Sequence, residues 1–183
     1  CPSATEQEPS EEPQVTDLNS FDQQSNQSSE ESRRPEIAKD VQLIDKTSVA
    51  AIDFTYQNGR AAGHNSILES LGGGTAVLDY DLDGQLDVFF TGGGKYDGKK
   101  ILGLPAALYR NTEELSFQQV TVAADLADDP LYTHGCHAGD FDNDGFPDLL
   151  VTGYGKLLLF HNQGDGTFLE MAQQAKLDNT LWS

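Results

Sequence analysis

Cysteine is scarce in this chain: Cys1 and Cys136 are the only two among 183 residues. Two thiols can build neither a disulfide framework nor a zinc ribbon. Long apolar runs are missing too, and no stretch approaches the roughly 18 residues of a membrane-crossing helix. Positive charge is thin, with 11 Lys and Arg against 30 Asp and Glu and a net charge of -19. A chain without clustered cations is a poor partner for nucleic acid phosphates. It is equally ill suited to dock on anionic lipid by charge alone. The same acidic excess suits a chain that collects divalent cations. Hydrophobic residues make up 37%, low for a fully packed globule, so part of the chain is expected to stay unfolded. The first residue is Cys rather than Met, which reads as a processed or trimmed start.

What is present falls into distinct regions. Residues 1–40 are rich in Ser, Glu, Gln and Pro and almost without large apolar side chains. Such a segment cannot offset its ordering entropy by burial, so it is expected to be a disordered tether. The sequon Asn26-Gln27-Ser28 lies inside it. Residues 41–71 form a lead-in, with a strand expected over 51–56 before the turn pair Asn58-Gly59. Ile67, Leu68 and Leu71 are expected to pack on the edge of the repeat region that begins at Gly72.

From Gly72 the texture changes to short strands and glycine turns, and the chain repeats itself over 72–122 and 123–183. Each copy has a strand of small residues, an acidic loop, an apolar strand (88–91 or 149–152), and a strand bearing Leu-Tyr-Arg-Asn or Leu-Phe-His-Asn. A turn then leads to a fourth strand through Phe117 or Phe168. The loops are 61 residues apart, Asp79 to Asp140, while Tyr109 and Phe160 are 51 apart. One insertion of 10 residues, which the segment 95–105 can hold, reconciles the two offsets. Four strands at a period of about 50 residues are the mark of propeller blades.

The acidic loops read Asp-x-Asp-x-Asp-Gly-x-x-Asp. The carboxylates are Asp79, Asp81, Asp83 and Asp87 in one copy, and Asp140, Asp142, Asp144 and Asp148 in the other. Alternate positions in a tight loop can point at one centre. Gly84 and Gly145 stand at the sixth position, where a sharp turn calls for positive φ. The seventh position, Gln85 or Phe146, is expected to offer a backbone carbonyl, which leaves its side chain free to vary. Converging carboxylates repel by several kcal/mol per pair at an effective dielectric of about 20. No Lys or Arg stands within either loop to relieve this. A hard cation with oxygen ligands would, and Ca²⁺ suits a flexible set of this size. These loops are not EF-hands, because position 12 holds Phe90 or Val151 rather than Glu, and the flanks read as strands. The plain alternative is an acidic turn that merely solvates, which two copies in register argue against. Bound ions would more readily staple strands than catalyse.

Other features carry weaker readings. His134, Cys136 and His137 could bind a transition metal, but on a strand 134 and 136 share one face and 137 takes the other. Cys136 is expected to be a small buried thiol, and Tyr109 and Phe160 core aromatics. His64 has no identifiable partner in sequence. The insertion is the most individual segment, and inserted loops often carry binding specificity.

The stretches LGGGTAVLDYDLDGQLDVFFTGG, LYRN and GCHAGDFDNDGFPDLLVTGYGKLLLFHNQGDGTFLEMA resemble the FG-GAP (VCBS) repeat family, and within it the cartilage-acidic-protein and ASPIC/UnbV group. The resemblance implies an all-β fold, a partial β-propeller of about two blades after the tether, with one Ca²⁺ per loop. It implies an extracytoplasmic protein that binds another protein or a glycan, or adheres, and it implies no reaction. RNTEELSF departs from the family's usual Asn-x-Gly-Asp-Gly-x-Phe turn, so the first copy's last hairpin is expected to differ in shape. A chain that opens on Cys1 before a polar stretch also resembles a mature bacterial lipoprotein, whose only membrane link would be the acylated Cys1. Rival readings are a platform domain of a polymer-degrading enzyme and an accessory subunit of an envelope complex. No nucleophile–base pair stands outside the loops to favour the enzyme. Two blades cannot ring an axis, and Trp182 falls where Tyr132 stands in the previous copy. A further acidic loop is therefore expected near position 190 of a longer chain.

Overall fold

The computed structural model describes residues 42–113, 115–127 and 131–177. The expected tether with Cys1 and Asn26, and the tail bearing Trp182, lie outside these residues. The chain divides into Cys1–Ile44 and Asp45–Ser183. Of the first unit, Gln42, Leu43 and Ile44 are described, and all are exposed. The second unit is built mostly of strands.

In chain order these are β1 (Gln57–Asn58), β2 (Thr75–Leu78), β3 (Asp87–Phe90), β4 (Gly93–Asp97), β5 (Lys100–Gly103), β6 (Ala107–Glu113), β7 (Ser116–Gln119), β8 (Tyr132–Gly139), β9 (Asp148–Tyr154), β10 (Leu158–Asn162) and β11 (Phe168–Glu170). Two four-stranded antiparallel sheets result, ordered β2-β3-β6-β7 and β8-β9-β10-β11. Among the described residues no sheet closes on itself, and the pair makes a partial propeller. The β-branched and aromatic run Val88, Phe89, Phe90 suits a pleated surface. In β2, Ala76 and Leu78 are buried while Thr75 and Val77 are exposed, the period of two that one covered face requires.

The core lies between the sheets. Ala76, Leu78, Tyr80, Phe89 and Leu108 of the first meet Leu149, Val151, Leu158, Phe160 and Phe168 of the second. Phe89, Leu108 and Leu149 are at most 1% exposed. Burying each such side chain is worth about 1.5–3 kcal/mol. Polar contacts fix the stacking. The Phe168 N–H donates to the Ala124 carbonyl at 3.0 Å. Its ring stacks on Tyr80 at a centroid distance of 6.1 Å. The leading strands β2 and β8 run close at Gly74, where a Cβ would lie 2.7 Å from the Cys136 nitrogen.

The lead-in departs from expectation. Residues 51–56 form no strand; the strand is the two-residue β1, parallel to β4. Side chains explain the difference. Phe54 stacks on Phe90 at 4.9 Å, and the Asp53 carbonyl accepts the Tyr109 hydroxyl at 2.9 Å. The segment thus covers the first sheet's other face instead of adding to its edge. Of the three apolar residues expected at that edge, Leu68 is buried, Leu71 half-buried and Ile67 63% exposed. The insertion is no bare loop: β4 and β5 pair as a hairpin and complete the sheet β1-β4-β5. In the last hairpins, β6 and β7 carry a register irregularity between Asn111 and Glu113, whereas β10 and β11 pair in steady register.

The start of β8 ties these parts together. The Tyr132 hydroxyl lies 2.9 Å from the Asn58 carbonyl and 2.8 Å from that of Leu68. Tyr132 is 2% exposed, and burial pushes its phenol well above the usual range. The Thr133 hydroxyl oxygen accepts the Gly92 N–H at 3.0 Å. Tyr132→Phe leaves two inward carbonyls without that donor. It should cost about 1–3 kcal/mol in urea unfolding, with the slope unchanged. Cys136 is half-buried against the core, and burial raises its thiol to about 11. At pH 8 it holds about two orders of magnitude less thiolate than an unperturbed cysteine. Alkylation traced to the Cys136 peptide should therefore be at least tenfold slower in the folded chain than in urea, and equal rates would contradict the packing.

Candidate metal centre

Each acidic loop joins the first two strands of its sheet, β2 to β3 and β8 to β9. The turn is made where expected, with φ of 84° at Gly84 and 95° at Gly145. A second left-handed residue precedes it in each loop, Leu82 at 56° and Asn143 at 63°. Backbone donors converge on the first carboxylate. Asp79 accepts the N–H groups of Asp83 and Gly84, both at 3.0 Å. Asp140 likewise accepts those of Asp144 at 3.2 Å and Gly145 at 3.0 Å. The fifth position holds the seventh, Asp83 to the Gln85 N–H at 2.9 Å and Asp144 to that of Phe146 at 2.8 Å.

The ninth position is the deepest. Asp87 and Asp148 are 0% and 1% exposed. Asp87 accepts the Tyr80 N–H at 3.0 Å and the Asn111 N–H at 2.9 Å. Asp148 accepts the Phe141 N–H at 3.0 Å and the Asn162 N–H at 2.8 Å. Burial raises the Asp87 carboxyl above the usual carboxylate value. The Asn111 and Tyr80 N–H groups work against it, and the charges of Asp81 and Asp83 add to it. The asparagines are thus part of the site. Asn162 also reaches across the sheets, its amide donating to the Tyr80 carbonyl at 2.7 Å. The turn between β10 and β11 is closed by the same side chain, whose oxygen accepts the Gly164 N–H at 3.0 Å.

The loops do have cationic or basic neighbours, contrary to the reading from adjacent residues. Arg110 on β6 sits over the first loop, Nε 2.6 Å from Asp81 and Nη2 2.8 Å from Asp83. Only the second contact is aligned as a hydrogen bond. On β10 His161 takes the same place, Nδ1 3.2 Å from Asp148 and 3.5 Å from Asp142. Strand alternation carries the signal that finds them. Tyr109 and Phe160 are buried, Tyr109 against the lead-in and Phe160 in the core between the sheets, so Arg110 and His161, one residue on, must take the opposite side of their strands.

The carboxylates group in threes. Asp79, Asp81 and Asp87 place one oxygen each within 4.8 Å of one another. Asp140, Asp142 and Asp144 do so in the second loop, and Asp142 also groups with Asp148 and His161. Asp83 stays outside the first trio, held by Arg110. Asp81 Oδ1 is buried and makes no hydrogen bond among the described residues. An all-oxygen set with such an unused oxygen fits a hard cation such as Ca²⁺. His134, Cys136 and His137 enter no such group among the described residues.

A family model described as FG-GAP-like repeat matches the chain twice, over residues 79–151 and 140–183. No curated protein matches it. The two matches begin on Asp79 and Asp140, the first carboxylate of each loop, and together they cover more than half of the chain. Repeat, loop and sheet coincide, and the chain belongs to the FG-GAP-like repeat family.

Proposed function

We propose that this chain is a calcium-binding, extracytoplasmic β-propeller module that binds, adheres or scaffolds and performs no reaction. The observation that supports this most directly is the in-register pair of loops, each with a fully buried closing aspartate and a cluster of carboxylates above it. Asp79, Asp81, Asp83 and Asp87, with the Gln85 carbonyl, would hold one ion. Asp140, Asp142, Asp144 and Asp148, with the Phe146 carbonyl, would hold the other. Bound Ca²⁺ would cancel the carboxylate repulsion and brace the first two strands of each sheet. Sites of this openness match the calcium levels found outside cells, where modules bind at about 10⁻⁴–10⁻³ M. The likeness of the loops and of the Leu-Tyr-Arg-Asn strand to the cartilage-acidic-protein and ASPIC/UnbV group favours the same setting.

The partner is proposed to be another protein or a glycan. The hairpin β4–β5 is the element one repeat has and the other lacks. Beside it Tyr56, Asn58, Arg60, Lys95 and Tyr96 line a groove of about 430 Å³. In a chain this acidic, a groove with two cations and two tyrosines is the natural place for contact.

Melting the protein in millimolar CaCl₂ and in EDTA tests the calcium reading. Binding confined to the folded state adds about 2.7 kcal/mol at a hundredfold excess over the dissociation constant. Calcium should raise the melting temperature, and Asp142→Ala should shrink that rise and lower the calorimetric stoichiometry. An identical melting temperature in both media would sink the reading.

A further inference from the structure

We propose that Arg110 is a built-in counter-ion of the first acidic loop, which a divalent cation must displace. The two loops then bind Ca²⁺ unequally, the second more tightly. The inference rests on the calcium reading above and concerns what this chain's own residues do to it.

Three observations carry it. The first is chemical identity at an equivalent position. The repeats place Arg110 and His161 at the same point of the third strand, next to Asn111 and Asn162, whose N–H groups hold Asp87 and Asp148. A guanidinium is permanently charged and offers donors only. An imidazole carries no permanent charge, and His161 stands beside Asp142 and Asp148 in the second loop. The same position thus sets a permanent positive charge against a cation in one loop and none in the other.

The second is what Arg110 touches. It spans Asp81 and Asp83, the third and fifth positions, at 2.6 and 2.8 Å. Those carboxylates would be ligands, and Asp83 is already outside the trio that Asp79, Asp81 and Asp87 form. In the second loop the corresponding Asp144 does belong to a trio, with Asp140 and Asp142, and its contact with His161 is 4.0 Å. An entering ion must draw Asp83 away from a permanently charged guanidinium in the first loop, whereas in the second it meets an imidazole without permanent charge, whose Nδ1 lies 3.2 Å from Asp148 and 3.5 Å from Asp142.

The third is that the guanidinium can leave. Its side chain is 40% exposed, so it can swing into water without opening the core. Arg110 therefore offsets part of the first loop's charge when calcium is low, whereas the second loop relies more on the ion.

Calcium titration of the whole chain by calorimetry, at low ionic strength and pH 8, tests this. The wild type should show two phases differing at least tenfold in dissociation constant. Asp142→Ala should remove the tighter phase, which assigns it to the second loop. Arg110→Gln should tighten the weaker phase at least tenfold and lower the melting temperature in EDTA, because the loop has lost its counter-ion. Arg110→Lys keeps the charge and should stay within a few-fold of wild type, which separates charge from shape. Two equal phases in the wild type, or an Arg110→Gln protein with both constants unchanged, would overturn the inference and leave the calcium reading intact. No binding by either protein at millimolar calcium would instead overturn the calcium reading itself.

Discussion

A carboxylate with almost no exposure must be held by donors or by a cation, and Asp87 and Asp148 organise the rest of the molecule through that need. Each takes one N–H from its own loop and one from the third strand of its sheet. The loop cannot change shape without releasing the strand, and the strand cannot slip without stranding a buried charge. The apolar faces that stack between the sheets are therefore presented at a defined height. Hydrophobic burial supplies most of the stabilisation, but it is non-directional, and the aspartates set where it acts.

The loops and the interface between the sheets share their parts. Tyr80 is the second residue of the first loop, gives its N–H to Asp87 and offers its ring to Phe168. Asn162 gives its N–H to Asp148 and its amide to the Tyr80 carbonyl. A hydrogen-bonded path thus runs from one closing aspartate to the other through two residues, Tyr80 and Asn162. Local metal chemistry and the stacking of repeats are the same structure seen at two scales.

Much of this was legible in the residues. The repeat, the loops, the turns at Gly84 and Gly145 and the burial of Tyr109 and Phe160 all follow from period and spacing, which are local properties. The parts that were not legible depend on contacts between distant residues. Phe54 belongs to no strand because Phe90, far along the chain, gives its ring a better place than a sheet edge would. Arg110 lies 27 residues from Asp83, so a search for charges near the loop passes over it. Alternation along β6 contained the answer, but only once the side taken by Tyr109 had been settled. The insertion read as a loop although β4 and β5 pair with each other, because Gly93, Gly94, Lys95 and Lys100 dilute any period of two along them.

The amide of Asn162 has one further consequence. It spans from the third strand of one sheet to a carbonyl in the loop of the sheet before it, and 2.7 Å leaves little slack. The angle between successive sheets is thus gauged by a rigid polar strut rather than by the bulk of the side chains around it. At this interface a change in the bulk of one aliphatic core residue should leave the angle between the two sheets in place, because the strut rather than the packing volume sets it.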